Sequence, residues 1–247
     1  MQISANTIFH FTRNKETLLS ILESCLYPRL CVEKNYMMED FDAAIPMCCF
    51  CDIPLSQISD HVSKYGCYAI GLKKEWAITN GITPVMYVHK ESIPLKNFEE
   101  QFNVLQNLSE EKASKWSLKM ETLFLYNALY MKPYQGLQVI DEKEKLIRFY
   151  DEREWRYIPP CFHGKYHPFL FQDEFNDSAI RERINSLNEQ YGLHFSPSDI
   201  NFIIVQSEDE ILDFRNSLLS IDWQSPQEEV ELLTTRLLSV ERIKEDM

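Results

Sequence analysis

Four short stretches carry the residues best equipped for chemistry in this 247-residue chain. Phe9-His10-Phe11-Thr12 sets an imidazole and a hydroxyl among aromatic side chains, and Lys64-Tyr65-Gly66-Cys67-Tyr68 brings two phenols close together. Asp151-Glu152-Arg153-Glu154-Trp155-Arg156 mixes carboxylates with guanidinium groups, and Cys48-Cys49-Phe50-Cys51 contains a C-x-x-C. In the first three, polar groups stand beside apolar strand-like residues, where a side chain is held rigidly and can line a cleft. Each also has a plainer reading. A lone His10 is more commonly a hydrogen-bonded core histidine. Tyr65 and Tyr68 are amphipathic packing residues, and Glu154, flanked by Arg153 and Arg156, is one end of an exposed ion pair.

The cysteines, taken with Cys161, His163 and His167, are of the types that ligate zinc, but their spacing is irregular. Cys48 and Cys51 lie in an apolar run that reads as a buried strand, whose alternate side chains point to opposite faces. Reduced, buried thiols are therefore expected there and no metal. A redox role is weaker still, because that motif opens a helix. Only six glycines occur, with no G-x-G-x-x-G or P-loop cluster and no G-x-S-x-G elbow, so Rossmann, P-loop and hydrolase readings lose their support.

The elements that must position these groups alternate between strands and helices. Ile3 to Phe11 reads as a strand, and Asn14 as the cap of a helix carrying Leu18, Leu22 and Cys25. Ile45 to Cys51 reads as a buried strand, Asp52 and Pro54 as the start of a helix ending near Gly66, and Cys67 to Leu72 as the next strand. A turn through Trp76 and Gly81 leads to a strand over Val85 to Val88. Ser109 to Met131 has the longest helical pattern, stopped by Pro133, and its mixed charges suit a solvated face. Leu146 to Tyr150 and Trp155 to Ile158 look like two strands forming a hairpin or one strand with a bulge. Asp177 or Ser178 caps a helix to Gln190, and Asn201 to Val205 is a buried strand. Ser207 with Glu210, and Ser225 with Glu228, have capping-box spacing. The last helix carries Val230, Leu233, Leu237 and Val240 on one face. The expectation is a single mixed α+β domain over 1–247, with 207–247 as a C-terminal helical segment.

Composition bounds the partners. Lys and Arg total 25 against 38 Asp and Glu, a net charge of −13 at pH 7. Such a chain is repelled by phosphate backbones and anionic lipid, which argues against non-specific nucleic-acid binding. Seven cysteines, an odd number, suit a reducing compartment. No secretory signal and no apolar run of membrane-spanning length are evident, so a cytoplasmic location with no membrane association is expected.

The run Ile45-Pro46-Met47-Cys48-Cys49-Phe50-Cys51-Asp52-Ile53-Pro54-Leu55-Ser56, with His61, Tyr65-Gly66, Ile70 to Trp76 and Pro84-Val85, resembles the AbiGi family of bacterial abortive-infection proteins. Phe9-His10-Phe11-Thr12, Lys132-Pro133 and Glu152 to Arg156 also resemble it. The resemblance implies phage defence in a toxin–antitoxin-like pair, with this chain as the antitoxin member and a nucleotidyltransferase-like toxin as its partner.

A more distant resemblance is to ADP-ribosyltransferases of the His-Tyr-Glu kind, which implies a fold of that type, strands with surrounding helices. It implies NAD as cofactor, with catalytic roles for His10, for Tyr65 or Tyr68, and for Glu154, and with His10, Thr12 and Tyr68 binding the cofactor. In such chemistry an aromatic face holds the nicotinamide ring and a carboxylate stabilises developing oxocarbenium charge. Under the antitoxin reading no cofactor is required. Phe11 departs from that pattern, standing where a Tyr or Gly often follows the His.

Overall fold

The structure, a computed structural model, describes residues 5–34, 42–106, 123–140, 143–160 and 169–246. They form a mixed α+β fold that groups into two compact units: Met1–Tyr27, Cys48–Thr83 and Tyr191–Met247 in the first, Pro28–Met47 and Pro84–Gln190 in the second.

In the first unit β1 (Thr7–Thr12) pairs antiparallel with β4 (Tyr68–Lys73), from Thr7 against Lys73 to Thr12 against Tyr68. β12 (Ile200–Val205) takes the other side of β4, and β13 (Leu237–Ser239) runs parallel beside β12. The final residues of β3 (Ala43–Cys51) lie along β1, with Cys51 opposite Phe9. The period of two sorts the side chains onto two faces. Phe9, Ala69 and Ile204 point to one, covered by Ile58 and Val62 of α2 (Ile58–Tyr65) and by Val240 and Ile243 of α10 (Val240–Asp246). Ile8, His10 and Thr12 share the opposite face with Tyr68, Ile70 and Leu72. α1 (Lys15–Glu23) packs against β4 with Leu18 and Leu22 buried, and α8 (Ile211–Ser220) packs against β13 with Phe214 and Leu218 buried. α3 (Lys74–Thr79) follows β4, and α9 (Gln227–Thr234) packs beside α8. Each fully buried Ile, Leu or Phe here contributes about 1.5–3 kcal/mol of transfer free energy.

In the second unit β2 (Arg29–Glu33) pairs antiparallel with the start of β3, Cys31 opposite Ile45, and β11 (Leu170–Phe171) pairs with β3 at Ala43 and Ala44. α7 (Ser178–Asn188), preceded by the short α6 (Gln172–Asn176), covers this group through Ile184, with Leu30, Ile180 and Leu187 around it. After the two-residue β5 (Thr83–Pro84), β6 (Met86–Val88) runs parallel to β7 (Met131–Pro133). α4 (Ile93–Gln106) and α5 (residues 123–128) lie between them in the chain. β8 (Gly136–Ile140) and β9 (Lys143–Ile147) form a hairpin, and β10 (Glu154–Tyr157) follows a short 3₁₀ turn over Phe149–Glu152. Among the described residues no helix is long and apolar enough to cross a membrane.

Several local expectations hold. The buried strand at Ile45–Cys51, the helix to Tyr65 and the strand from Tyr68 are present. Asp177 does cap α7, its carboxylate accepting from Ala179 N at 2.8 Å and Ile180 N at 3.3 Å. Others need correction. Asn14 stands at the N-cap position of α1, but its side chain makes no capping hydrogen bond; its carbonyl accepts only the first helical bond, from Leu18 N at 3.3 Å. The helix expected to carry both Val230 and Leu237 ends at Thr234, and Leu237–Ser239 becomes a strand because Ile203–Val205 offers it a backbone ladder. Residues 207–247 are thus not wholly helical. Leu146–Tyr150 does not pair with the Trp155 strand; β9 pairs with the upstream β8. Of the helix expected over Ser109–Met131, residues 109–122 lie outside the described residues. Met131 opens β7, and Pro133 closes that strand rather than stopping a helix.

Candidate functional site

A buried network of charged groups in the second unit is built on β10. Alternation along the strand turns Glu154 and Arg156 to the same, buried side, while Trp155 and Tyr157 stay half-buried. Arg156 is wholly buried, and Lys132 of β7, Glu152 and Glu154 are buried with it. Lys132 Nζ donates to Glu152 Oε2 at 2.7 Å and to Glu154 Oε2 at 2.6 Å. Arg156 grips Glu154 through Nε, reaches its second oxygen from Nη2 at 3.3 Å, and donates from Nη2 to Glu33 Oε1 of β2 at 2.6 Å. Its Nη1 donates to the Leu129 carbonyl at 3.0 Å. Three carboxylates and two cations are thus linked, tying β2, β7 and β10 together.

Two further bonds fix the Glu154 backbone: its N–H donates to the Tyr87 hydroxyl at 2.8 Å, and its carbonyl accepts from Val85 N at 3.1 Å. Arg153, in the left-handed region at φ 47°, makes the sharp step from the 3₁₀ turn into the strand. Burial alone would raise the Glu154 pKa, but the adjacent Arg156 and Lys132 charges, with their hydrogen bonds, outweigh it and bring it down to about 2. Burial also opposes the charge on Lys132, and Glu154, Glu33 and Glu152 together overcome it and hold its pKa well above the usual lysine value. Burial raises the Tyr87 phenol as well. Glu154 is therefore an ionised, immobilised carboxylate at neutral pH. The exposed pair expected at this position is a buried network, because a single period-two strand places Glu154 and Arg156 inward together. Lys132 enters the sequence reading only through a resemblance, and Glu33 not at all. Lys132 does leave a signal, a cation between Met131 and Pro133 in an otherwise apolar stretch.

His10, Thr12, Tyr65 and Tyr68 belong to the first unit, and Glu154 to the second. Thr12 and Tyr68 face one another in the β1–β4 register, with His10 two residues along on the same face. His10 Nδ1 lies 2.8 Å from the Cys49 carbonyl and donates to it, and its ring packs 5.7 Å from Phe50. The Tyr68 hydroxyl donates to Glu210 Oε1 at 2.7 Å, and burial together with that bond pushes the phenol up to about 12. The other oxygen of Glu210 accepts from Gln206 N at 3.0 Å, so Tyr68 braces the turn that leads into α8. Tyr65, at the end of α2, is 41% exposed, its ring 5.9 Å from that of His61.

Burial lowers the His10 pKa from 6.5 more than its carbonyl bond raises it. The unfolded chain therefore takes up this proton first on acidification. The contribution of His10 to stability is complete above about pH 6.5 and is lost as the pH falls toward its lower folded value. Urea unfolding across pH 5–7.5 is expected to show a shallower decline for His10→Gln than for the parent, by up to ~1.4 kcal/mol per pH unit. Parallel profiles would exclude this group as the source.

Cys48 Sγ approaches the Leu26 carbonyl at 3.8 Å and Cys51 Sγ the Phe9 carbonyl at 3.6 Å. Among the described residues no group of three His, Cys, Asp or Glu is placed to hold a metal. Cys161, His163 and His167 lie outside the described residues.

No solved structure matches the chain. Residues 24–206 match the family model described as "Putative abortive phage resistance protein AbiGi, antitoxin". The chain is also similar to "Abortive phage resistance protein AbiGi" of Lactococcus lactis subsp. cremoris, 35% identical over 230 residues that span 82% of this chain and 88% of the relative. The match takes in β2, β3, β10 and the whole ion network, Glu33 to Arg156, as well as Tyr65 and Tyr68, and by its extent and this identity the chain belongs to the AbiGi family.

Proposed function

We propose that the chain acts in abortive phage resistance as an antitoxin, in the cytoplasm, by binding and restraining a toxin that handles nucleic acid. The observation carrying this reading is membership of a family described by that role. The charge of −13 supports it, because a toxin working on nucleic acid presents a basic face that such a surface attracts and steers. Three of the groups that would do NAD chemistry are engaged internally: His10 with the Cys49 carbonyl, Tyr68 with Glu210, and Glu154 with Lys132 and Arg156. No specific observation favours the ADP-ribosyltransferase-like reading over this one.

The test is co-expression with the protein encoded beside this chain, followed by calorimetric titration of the purified pair. Growth arrest by the partner alone, relief by this chain, and an affinity that weakens at least tenfold between ~50 and ~500 mM salt are expected. NAD consumption by the purified chain that disappears in Glu154→Gln, without any partner binding, would overturn the proposal in favour of an enzyme.

A further inference from the structure

We propose that the groove between α8 and α9 is the seat of a basic, apolar-tipped segment of the protein partner, an inference that rests on the antitoxin reading above. The groove encloses about 770 Å³, and its apolar lining comes from Leu219, Ile221, Trp223 and Val230. Asp222 and Glu231, both exposed, supply negative charge to it, while Arg215 is the one cation among its lining residues. Leu219 is 40% exposed, so an apolar side chain already stands where a partner would cover it.

The floor is firm. Trp223 Nε1 donates to the Leu218 carbonyl at 3.0 Å, and its ring continues through Phe195 to Trp76, 6.5 and 6.4 Å between successive centroids, into the interior of the same unit. At the lip, Gln224 holds a left-handed φ of 51° with its side-chain amide donating to Asp222 at 2.6 Å. A non-glycine residue kept in that conformation marks a loop whose shape is imposed by its surroundings.

Charge selects the occupant. Residues 207–247 contain eleven Asp and Glu against four Lys and Arg, which places seven of the thirteen excess negative charges in this one segment. A second copy of the chain or a nucleic acid would bring like charge to the same surface and be repelled. A helix or strand carrying Lys or Arg around one or two apolar side chains satisfies both the floor and its surroundings, in the manner of amphipathic segments in apolar grooves.

The experiment titrates the protein encoded beside this chain against three full-length forms: the parent, Leu219→Ser with Glu231→Lys, and an off-groove control, Ile93→Ser with Glu182→Lys. The control removes an exposed apolar group and reverses an exposed carboxylate in the second unit. Circular dichroism and the urea midpoint of each form show that the altered positions, all exposed, leave the fold intact. A loss of affinity of at least tenfold in the groove form, against less than threefold in the control, is the expected result. Equal affinity for all three forms, or equal loss in both altered forms, would overturn the groove while leaving the antitoxin reading intact. Failure of the parent chain to bind at all would remove that reading and the groove with it.

Discussion

Arg156→Ala is expected to destabilise the chain by roughly 3–5 kcal/mol, which is a large share of the ~5–15 kcal/mol that holds a domain folded. The reason lies in what is left behind. Removing the guanidinium strips a partner from Glu154, Glu33 and the Leu129 carbonyl, while Glu154 stays buried with only Lys132 to balance it. Arg156→Lys keeps the charge but cannot form the fork that reaches Glu154 and Glu33 together, and an intermediate loss is expected. Glu154→Gln preserves the shape and leaves Lys132 with Glu152 and Arg156 with Glu33, so it should cost less than Arg156→Ala. Urea unfolding at pH 7 orders the three. A cost below ~1 kcal/mol for Arg156→Ala would mean that water reaches the network and screens it. The acid dependence has a defined sign. With its carboxyl at about 2, Glu154 contributes stability above the ordinary carboxylate range, and that contribution fades only as the pH drops from about 4.5 toward 2.

The second large effect is expected at Gly66, between α2 and β4. Its φ of 122° with ψ of 168° falls in a region essentially reserved for glycine. A Cβ there would lie 2.3 Å from the Thr12 carbonyl oxygen and 2.5 Å from Arg13 Cα, both backbone atoms with nowhere to go. Gly66→Ala should therefore cost more than ~3 kcal/mol, combining backbone strain with a steric push on the end of β1. Gly81, at φ 73° with open space around a hypothetical Cβ, is the control: Gly81→Ala should cost only about 1 kcal/mol. Equal unfolding midpoints for the two variants would show that the close approach at Thr12 relaxes freely. Because Gly66 lies beside Thr12, where β1 ends opposite Tyr68, the same measurement reports on how rigidly that strand end is placed.

Much of the fold was legible because its signals are local. The apolar run Ile45 to Cys51 became most of the buried β3, the run Asn201 to Val205 became all but the first residue of β12, and Asp177 capped α7 through two backbone amides. The misreadings arose where a partner distant in sequence decided the outcome. Leu237 fits a helical stripe with Val230 and Leu233, but β12 offered its backbone a ladder. The strand around Leu146 suits a downstream partner as well as it suits β8, and only the register of Gly136 against Ile147 chose between them.

The candidate site divides in the same way. Residue types and spacing by themselves determined that His10 stands on a strand, that Tyr68 lies near the start of another, that the chain is strongly acidic, and that its motifs resemble the AbiGi family, whereas Glu154, read between two strands, opens β10. Tertiary structure decided what those groups do. Glu154 and Arg156 alternate inward and meet Lys132 and Glu33, which stand 22 and 123 residues away from their respective partners. Tyr68 meets Glu210 across 142 residues, and the acidic C-terminal segment folds to frame one groove. Period and capping are written into neighbouring residues, whereas the pairing of buried charges depends on which distant strands share a sheet and on the low-dielectric space they enclose.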